Sequence, residues 1–182
     1  MFENLKPLVL NSSDVNIWFT SDLHFGHKNI LKFCARPWKS TEEMDEGLIK
    51  NWNSVVGKDD IIFNLGDFAF APDRKWKEIL KRLNGHHYLI LGNHDISFVK
   101  ELKYKGIEIY EYPIVFNNFW ILSHEPMYVS ENSPYANIFG HIHKNPMYLT
   151  VSSRSYCVSI ERNGYKPICF DYIKERVRKE NK

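Results

Sequence analysis

Five apolar runs in this chain each close on residues that bind metals. They read N-I-W-F-T-S before Asp22 and His24, and D-I-I-F-N-L-G before Asp67. The others are Y-L-I-L-G before Asn93 and His94, F-W-I-L-S before His124, and N-I-F-G before His141 and His143. Apolar runs of this length ended by Gly, Ser or Asn predict buried strands. In an open α/β sheet the ligand crevice lies outside the carboxyl ends of the strands. The pattern therefore predicts two Asp, one Asn and up to five His at one edge of one sheet, which is the making of a dinuclear metal site.

Two divalent ions about 3.5–4 Å apart need an anionic group that bridges them, and Asp67, on the middle strand of the set, is the candidate. Imidazoles suit Zn, Fe, Ni and Cu, whereas carboxylates, carbonyls and water suit Mn and Mg. A mixed nitrogen and oxygen set without thiolate predicts two divalent metal ions, Mn first and Fe, Zn or Ni as alternatives. Cys34, Cys157 and Cys169 stand away from all five strand ends, against a closed, thiolate-rich zinc site. His141 and His143 are alternate residues, so in extended chain they point the same way and can serve neighbouring metals.

These motifs, D-L-H at 22–24, G-D at 66–67, G-N-H-D at 92–95, S-H at 123–124 and G-H-I-H at 140–143, resemble those of the calcineurin-like metallophosphoesterases, in the family's order. The fourth reads S-H where many members have G-H. D-L-H-F-G-H-K-N-I followed by R-P-W is similar to a group of short phosphoesterases of bacteria and their phages. The resemblance implies that Asp22, His24, Asp67 and His143 hold a first metal, and that Asp67, Asn93, His124 and His141 hold a second. It implies that His94 faces the scissile phosphate, and it implies a four-layer α-β-β-α sandwich with mixed sheets. The sequence pattern by itself supports mixed α/β with a late run of antiparallel strands.

The chemistry expected is metal-assisted phosphoester hydrolysis. A water or hydroxide bridging two metals is nucleophilic near neutral pH and attacks phosphorus in line with the departing oxygen, which His94 assists. Asp95 is expected either to orient the His94 ring or to cap a helix beginning near Ser97. No G-x-S-x-G elbow offers a covalent nucleophile. His27 is a candidate for the substrate phosphate or the metal shell. Arg36 is a candidate phosphate clamp, because its planar fork pairs oxyanions bidentately, with Trp38 beside it as a stacking face for a base. Each has a plainer alternative: a helix-start hydrogen bond for His27, a surface cation for Arg36 and a core ring for Trp38. Arg154 and Arg162 receive no role. The motifs lie close together with no room for a cap domain, so an open site for a phosphodiester or a small phosphorylated, nucleotide-like metabolite is expected.

At 182 residues, 43% apolar and 15% aromatic, the chain has material for one domain, residues 1–182, with a full core. A net charge of +2 gives no global field for nucleic acid or membrane. No apolar run is long enough to span a bilayer, and the first fifteen residues lack a signal-peptide pattern. With three cysteines in no spacing pattern, a cytoplasmic location is expected. Helices are predicted from Ser40 to about Val55 (capped by Ser40 and Glu43), over 74–84 and over 97–104. A hairpin is predicted at Asn117–Asn118, with strands near 147–151, 156–160 and 166–170. The polar segment 172–182 is expected to fray. Two other functions remain open: a non-catalytic scaffold of the same fold, which replaced ligands would betray, and a nuclease, which needs a basic groove. Composition does not address the oligomeric state.

Overall fold

The computed structural model describes residues 4–10, 15–70, 73–95, 106–130, 132–145 and 153–179. The predicted helix over 97–104 and the strand over 147–151 lie outside them.

One sheet carries β2 (Ile17–Thr20), β3 (Ile61–Asn64), β4 (His86–Ile90) and β5 (Ile107–Tyr110), all parallel, with β10 (Ile168–Cys169) antiparallel at the β2 edge. The other has the order β1 (Lys6–Leu8), β6 (Ile114–Phe116), β7 (Trp120–Leu122), β8 (Ala136–Phe139) and β9 (Ser155–Cys157). Both are five-stranded and mixed, as a metallophosphoesterase sandwich requires. The five ligand-bearing runs are therefore divided, three in the first sheet and two in the second, and do not share one sheet edge as expected. Parallel crossovers explain the first set, because β2, β3 and β4 all deliver their carboxyl ends to the same side.

The space between the sheets is filled by Phe19, Phe63, Leu65, Phe116, Leu122, Ile138 and their neighbours. Phe19 and Phe63 stack with centroids 5.1 Å apart. After the single turn of α1 (Ile30–Phe33), α2 (Thr41–Asn53) and α3 (Asp73–Leu80) cover the outer face of the first sheet. Met44, Leu48, Ile49 and Trp52 lie on one face of α2, the spacing that makes a helix amphipathic. Ser40 Oγ accepts from the Glu43 amide at 3.2 Å, and the Glu43 carboxylate accepts from the Lys39 amide at 3.0 Å. The predicted cap forms, one residue wider than the reciprocal box. On the outer face of the second sheet the described residues supply a small cluster around Val115, Ile121 and Val129.

Asn117 and Asn118 take φ of 47° and 56° in the β6–β7 turn, the left-handed pair that a type I′ hairpin demands. Up to residue 179 the carboxyl-terminal segment does not fray as expected. It forms α4 (Phe170–Lys179), with Phe170, Ile173 and Val177 buried in the inter-sheet core. Their spacing is one helical stripe, which the overall polarity of the segment masks. The strand expected at 156–160 stops at Cys157, and a 3-10 helix follows at Ile160–Asn163. Among the described residues no helix is long and apolar enough to cross a membrane.

Candidate metal centre

The turns after β2 and β3 continue the sheet pairing beyond the strands. The Asp22 amide donates to the Gly66 carbonyl at 2.9 Å, His24 to Asp67 at 2.9 Å and Phe25 to Phe68 at 3.0 Å. The second sheet joins them: the Gly140 amide bonds the His124 carbonyl at 2.9 Å, and the His141 amide donates to both Asp22 oxygens at 3.0 Å. Asp22, His24 and Asp67 are thereby buried, together with His124.

Five of the seven expected ligands hold a left-handed backbone: Asp22, His24, Asp67, His141 and His143, with φ between 47° and 69°. Non-glycine residues rarely adopt it, and it costs on the order of 1–3 kcal/mol each, so such residues gather at functional sites. The glycines of the motifs have a companion role. A methyl group on Gly92 would overlap Asp67 Oδ1, and one on Gly140 would overlap Ser21 and approach Asp22.

Asp67 is the centre of the constellation. Its Oδ2 lies 3.5 Å from His24 Nε2 and 3.5 Å from His124 Nε2, while Oδ1 accepts the His94 amide at 3.0 Å. His124 Nδ1 meets the Leu65 carbonyl at 2.8 Å. That bond assigns its proton to Nδ1 and leaves Nε2 as the lone-pair nitrogen. Around this Nε2 stand Asn93 Oδ1 at 3.0 Å and His141 Nδ1 at 3.1 Å. On the other flank, Asp22, His24 and His143 offer ligand atoms within 4.8 Å of one another, as do Asp22, Asp67 and His124.

Divalent metal fits these residues on two grounds. Both ring nitrogens of His24 are buried without any hydrogen-bond partner, a cost native proteins avoid unless something else fills the valence. Burial also drives the His24 pKa down to about 3, which keeps a lone pair available. For His124, burial works the same way, but Asp67, Asp22 and the Leu65 carbonyl outweigh it and raise the pKa. The pocket thus favours positive charge where a cation would sit. Burial raises the Asp22 carboxyl, and His143, His124, Ser21 and Ser159 only partly offset it.

Two expected roles are corrected. The Arg36 guanidinium is buried and faces inward. It donates to Glu161 Oε1 at 3.0 and 2.6 Å, to the Asp22 carbonyl at 2.6 Å and to the Leu23 carbonyl at 2.7 Å. With its fork engaged there, it is no clamp for substrate. Trp38 packs edge-on to Tyr165 and against Gly47. Asp95, expected either to orient the His94 ring or to cap a helix near Ser97, accepts three amides: Asp67 at 2.7 Å, Gly92 at 2.9 Å and Phe68 at 3.0 Å. It ties the β3 and β4 turns together, and burial raises its pKa to about 6.

The other expectations resolve more simply. His94 and His27 line a cavity of about 770 Å³ together with His24, His141 and His143. His27 stacks on Phe70 with centroids 4.4 Å apart, and its Nδ1 has no partner. Arg162 donates to the His143 and Asn145 carbonyls, and Arg154 to the Ser133 carbonyl.

Sequence reasoning missed Glu161. It accepts from His143 Nδ1 at 3.0 Å, and burial is outweighed by His143 and Arg36, so its pKa falls. A carboxylate behind a ligand histidine fixes the ring and raises its basicity. The signal was present: Glu161 follows the apolar run C-V-S-I, a sixth run of the same kind closed by a ligand-type residue.

A sandwich of two mixed sheets with carboxylates and imidazoles gathered around Asp67 is the setting of a metal-dependent hydrolase of phosphoester bonds. A family model, that of the calcineurin-like phosphoesterases, matches residues 15–175, and the chain belongs to that family. The Methanocaldococcus jannaschii protein MJ1445 is 37% identical over 174 residues, which cover 90% of this chain and 92% of that one. Gene 66 protein of Mycobacterium phage L5 is 43% identical over 83 residues, 44% of this chain and 40% of the phage protein. The crystal structure of AQ665 from Aquifex aeolicus, a protein of unknown function, superposes with a TM-score of 0.70 at 26% identity, covering 89% of this chain and 99% of that one.

Proposed function

We propose that this chain hydrolyses a small phosphorylated, nucleotide-like substrate with two divalent ions, manganese before iron, zinc or nickel. Asp22, His24, Asp67 and His143 would hold one ion, and Asp67, Asn93, His124 and His141 the other. When bound, such ions supply Lewis acidity to the phosphoryl oxygens and a nucleophile from water near neutral pH.

The observation that carries this reading is the Asp67 carboxylate, whose Oδ2 stands 3.5 Å from an imidazole nitrogen on each side. The chain's own residues complete the site. Glu161 orients His143, and the Leu65 carbonyl orients His124. Among the described residues the His94 ring has no hydrogen-bond partner, and it lines the cavity beside His24, where it can give a proton to a departing oxygen. His27, on its Phe70 shelf, lines the same wall and supports the substrate phosphate. Three free cysteines support a cytoplasmic location.

The test is hydrolysis of a chromogenic monoester and diester by protein stripped of metal and reconstituted with Mn, with bound metal counted by elemental analysis. Two ions per chain and turnover lost in Asp67→Asn and His94→Ala are expected. Protein that binds one ion, or none, refutes the two-ion site. Two bound ions without hydrolysis of either ester favour the scaffold.

A further inference from the structure

A second cavity, of about 680 Å³, adjoins the same centre and shares no lining residue with the first. It meets the centre through Asn93 and His124. Its walls are the turn after β4, the Glu111–Tyr112–Pro113 turn after β5 and the Glu125–Pro126–Met127 turn after β7. The first cavity holds His94, His27 and Lys144, whereas the second holds two exposed glutamates and an exposed tyrosine ring.

Resting on the hydrolase reading above, we infer that the substrate is a phosphodiester and that this second cavity takes the ester arm retained after cleavage, an arm carrying a positive charge. A monoester has one arm, which departs on the His94 side and leaves the second cavity without a use. In a diester, the bond from phosphorus to the leaving oxygen breaks and water supplies the new phosphorus–oxygen bond. The proton goes to the departing oxygen, and the product is a monoester bearing the retained arm.

The charge of that arm follows from the walls. The carboxylates of Glu111 and Glu125 have no hydrogen-bond or ion-pair partner among the described residues, and the Tyr112 ring is 74% exposed. An alkylammonium group meets both needs, carboxylate attraction and a cation on an aromatic face. Met127 and Pro113 give its methylene groups an apolar floor. A nucleic acid strand continuing through this cavity would set its next phosphate against the two glutamates, which disfavours it.

The experiment uses the full chain reconstituted with Mn and two esters with the same leaving group, p-nitrophenyl phosphorylcholine and p-nitrophenyl phosphate. The choline ester should have the higher kcat/KM. The ratio of the two should fall about two- to fivefold in Tyr112→Ala and in Glu125→Gln, through KM of the choline ester, the loss expected for one exposed cation contact. Taking a ratio cancels any fraction of misfolded protein. A ratio unmoved in both variants, or turnover of the monoester alone, overturns the inference while metal-dependent monoester hydrolysis keeps the hydrolase reading standing. Failure on both esters overturns the two together. Bis(p-nitrophenyl) phosphate as the better diester would overturn the cationic arm.

Discussion

Replacing Arg36 by Met separates a buried anchor from a substrate clamp. The guanidinium makes two bonds to Glu161 and one each to the Asp22 and Leu23 carbonyls, all between 2.6 and 3.0 Å. Met fills similar volume but returns none of them. It leaves the buried Glu161 carboxylate with His143 as its remaining partner, and two carbonyls without donors. Removing one partner of a buried pair costs about 3–5 kcal/mol, less than adding the four bonds singly, because such terms are not additive. Against the roughly 5–15 kcal/mol of an ordinary domain, Arg36→Met should fold but melt early. Urea unfolding of metal-free protein, read at the midpoint with the slope held, measures the loss. Adding Glu161→Gln should recover part of it, about 1–2 kcal/mol, because the stranded charge is gone. A single variant within about 1 kcal/mol of the parent, with KM raised and kcat kept, would refute this reasoning and restore Arg36 as the clamp.

Asp95→Asn puts an amide N–H2 against backbone N–H groups that now share the carboxylate, so about 2–3 kcal/mol of stability should go, seen as a lower melting temperature. Gly92→Ala forces a methyl group into the Asp67 carboxylate, and the metal bound per chain should drop while far-ultraviolet dichroism stays native. His87, stacked on Trp52, is pushed by burial down to about 4. Its unfolded value near 6.5 means that the unfolded chain binds the extra proton between those pH values, so stability falls as pH drops through that window. The loss is about 2–3 kcal/mol by the bottom of the window, and a His87→Gln variant should show a flatter midpoint-against-pH curve over the same range.

The strand ends were legible because they combine two signals that rarely coincide, a short apolar run and a polar side chain of metal-binding type just past it. The first long helix was legible for a similar reason, with Ser40 and Glu43 marking its start. The division of the five runs between two sheets was not legible. Which strand pairs with which depends on crossovers between segments that local periodicity does not see. Arg36 was misplaced for a related reason: an arginine looks alike on the surface and inside, and only Glu161, 125 residues further on, makes burial affordable. Asp95 stood beside His94 in sequence, yet its carboxylate points back to Asp67 and Gly92, because sequence neighbours in a tight turn face different ways.

The backbone at the ligands explains why the motifs are so short. In a strand Asp22 and His24, or His141 and His143, would share one face of the sheet and stand across it, so a strand cannot by itself aim them past its own end. A left-handed residue two or three positions past the strand turns the chain and throws the side chain across the edge, and Asp22, Asp67 and His141 all do this. Glycine would adopt that conformation freely but carries no ligand atom, so the strain falls on Asp and His. The glycines are placed one residue before the ligand instead, at Gly66, Gly92 and Gly140, where neighbouring turns touch. The strained conformations persist because the amide ladder from Asp22 to Gly66, His24 to Asp67 and His141 to Asp22 closes on both sheets at once. The two-sheet sandwich is therefore the device that makes these dipeptides sufficient, and one sheet edge would not have been enough.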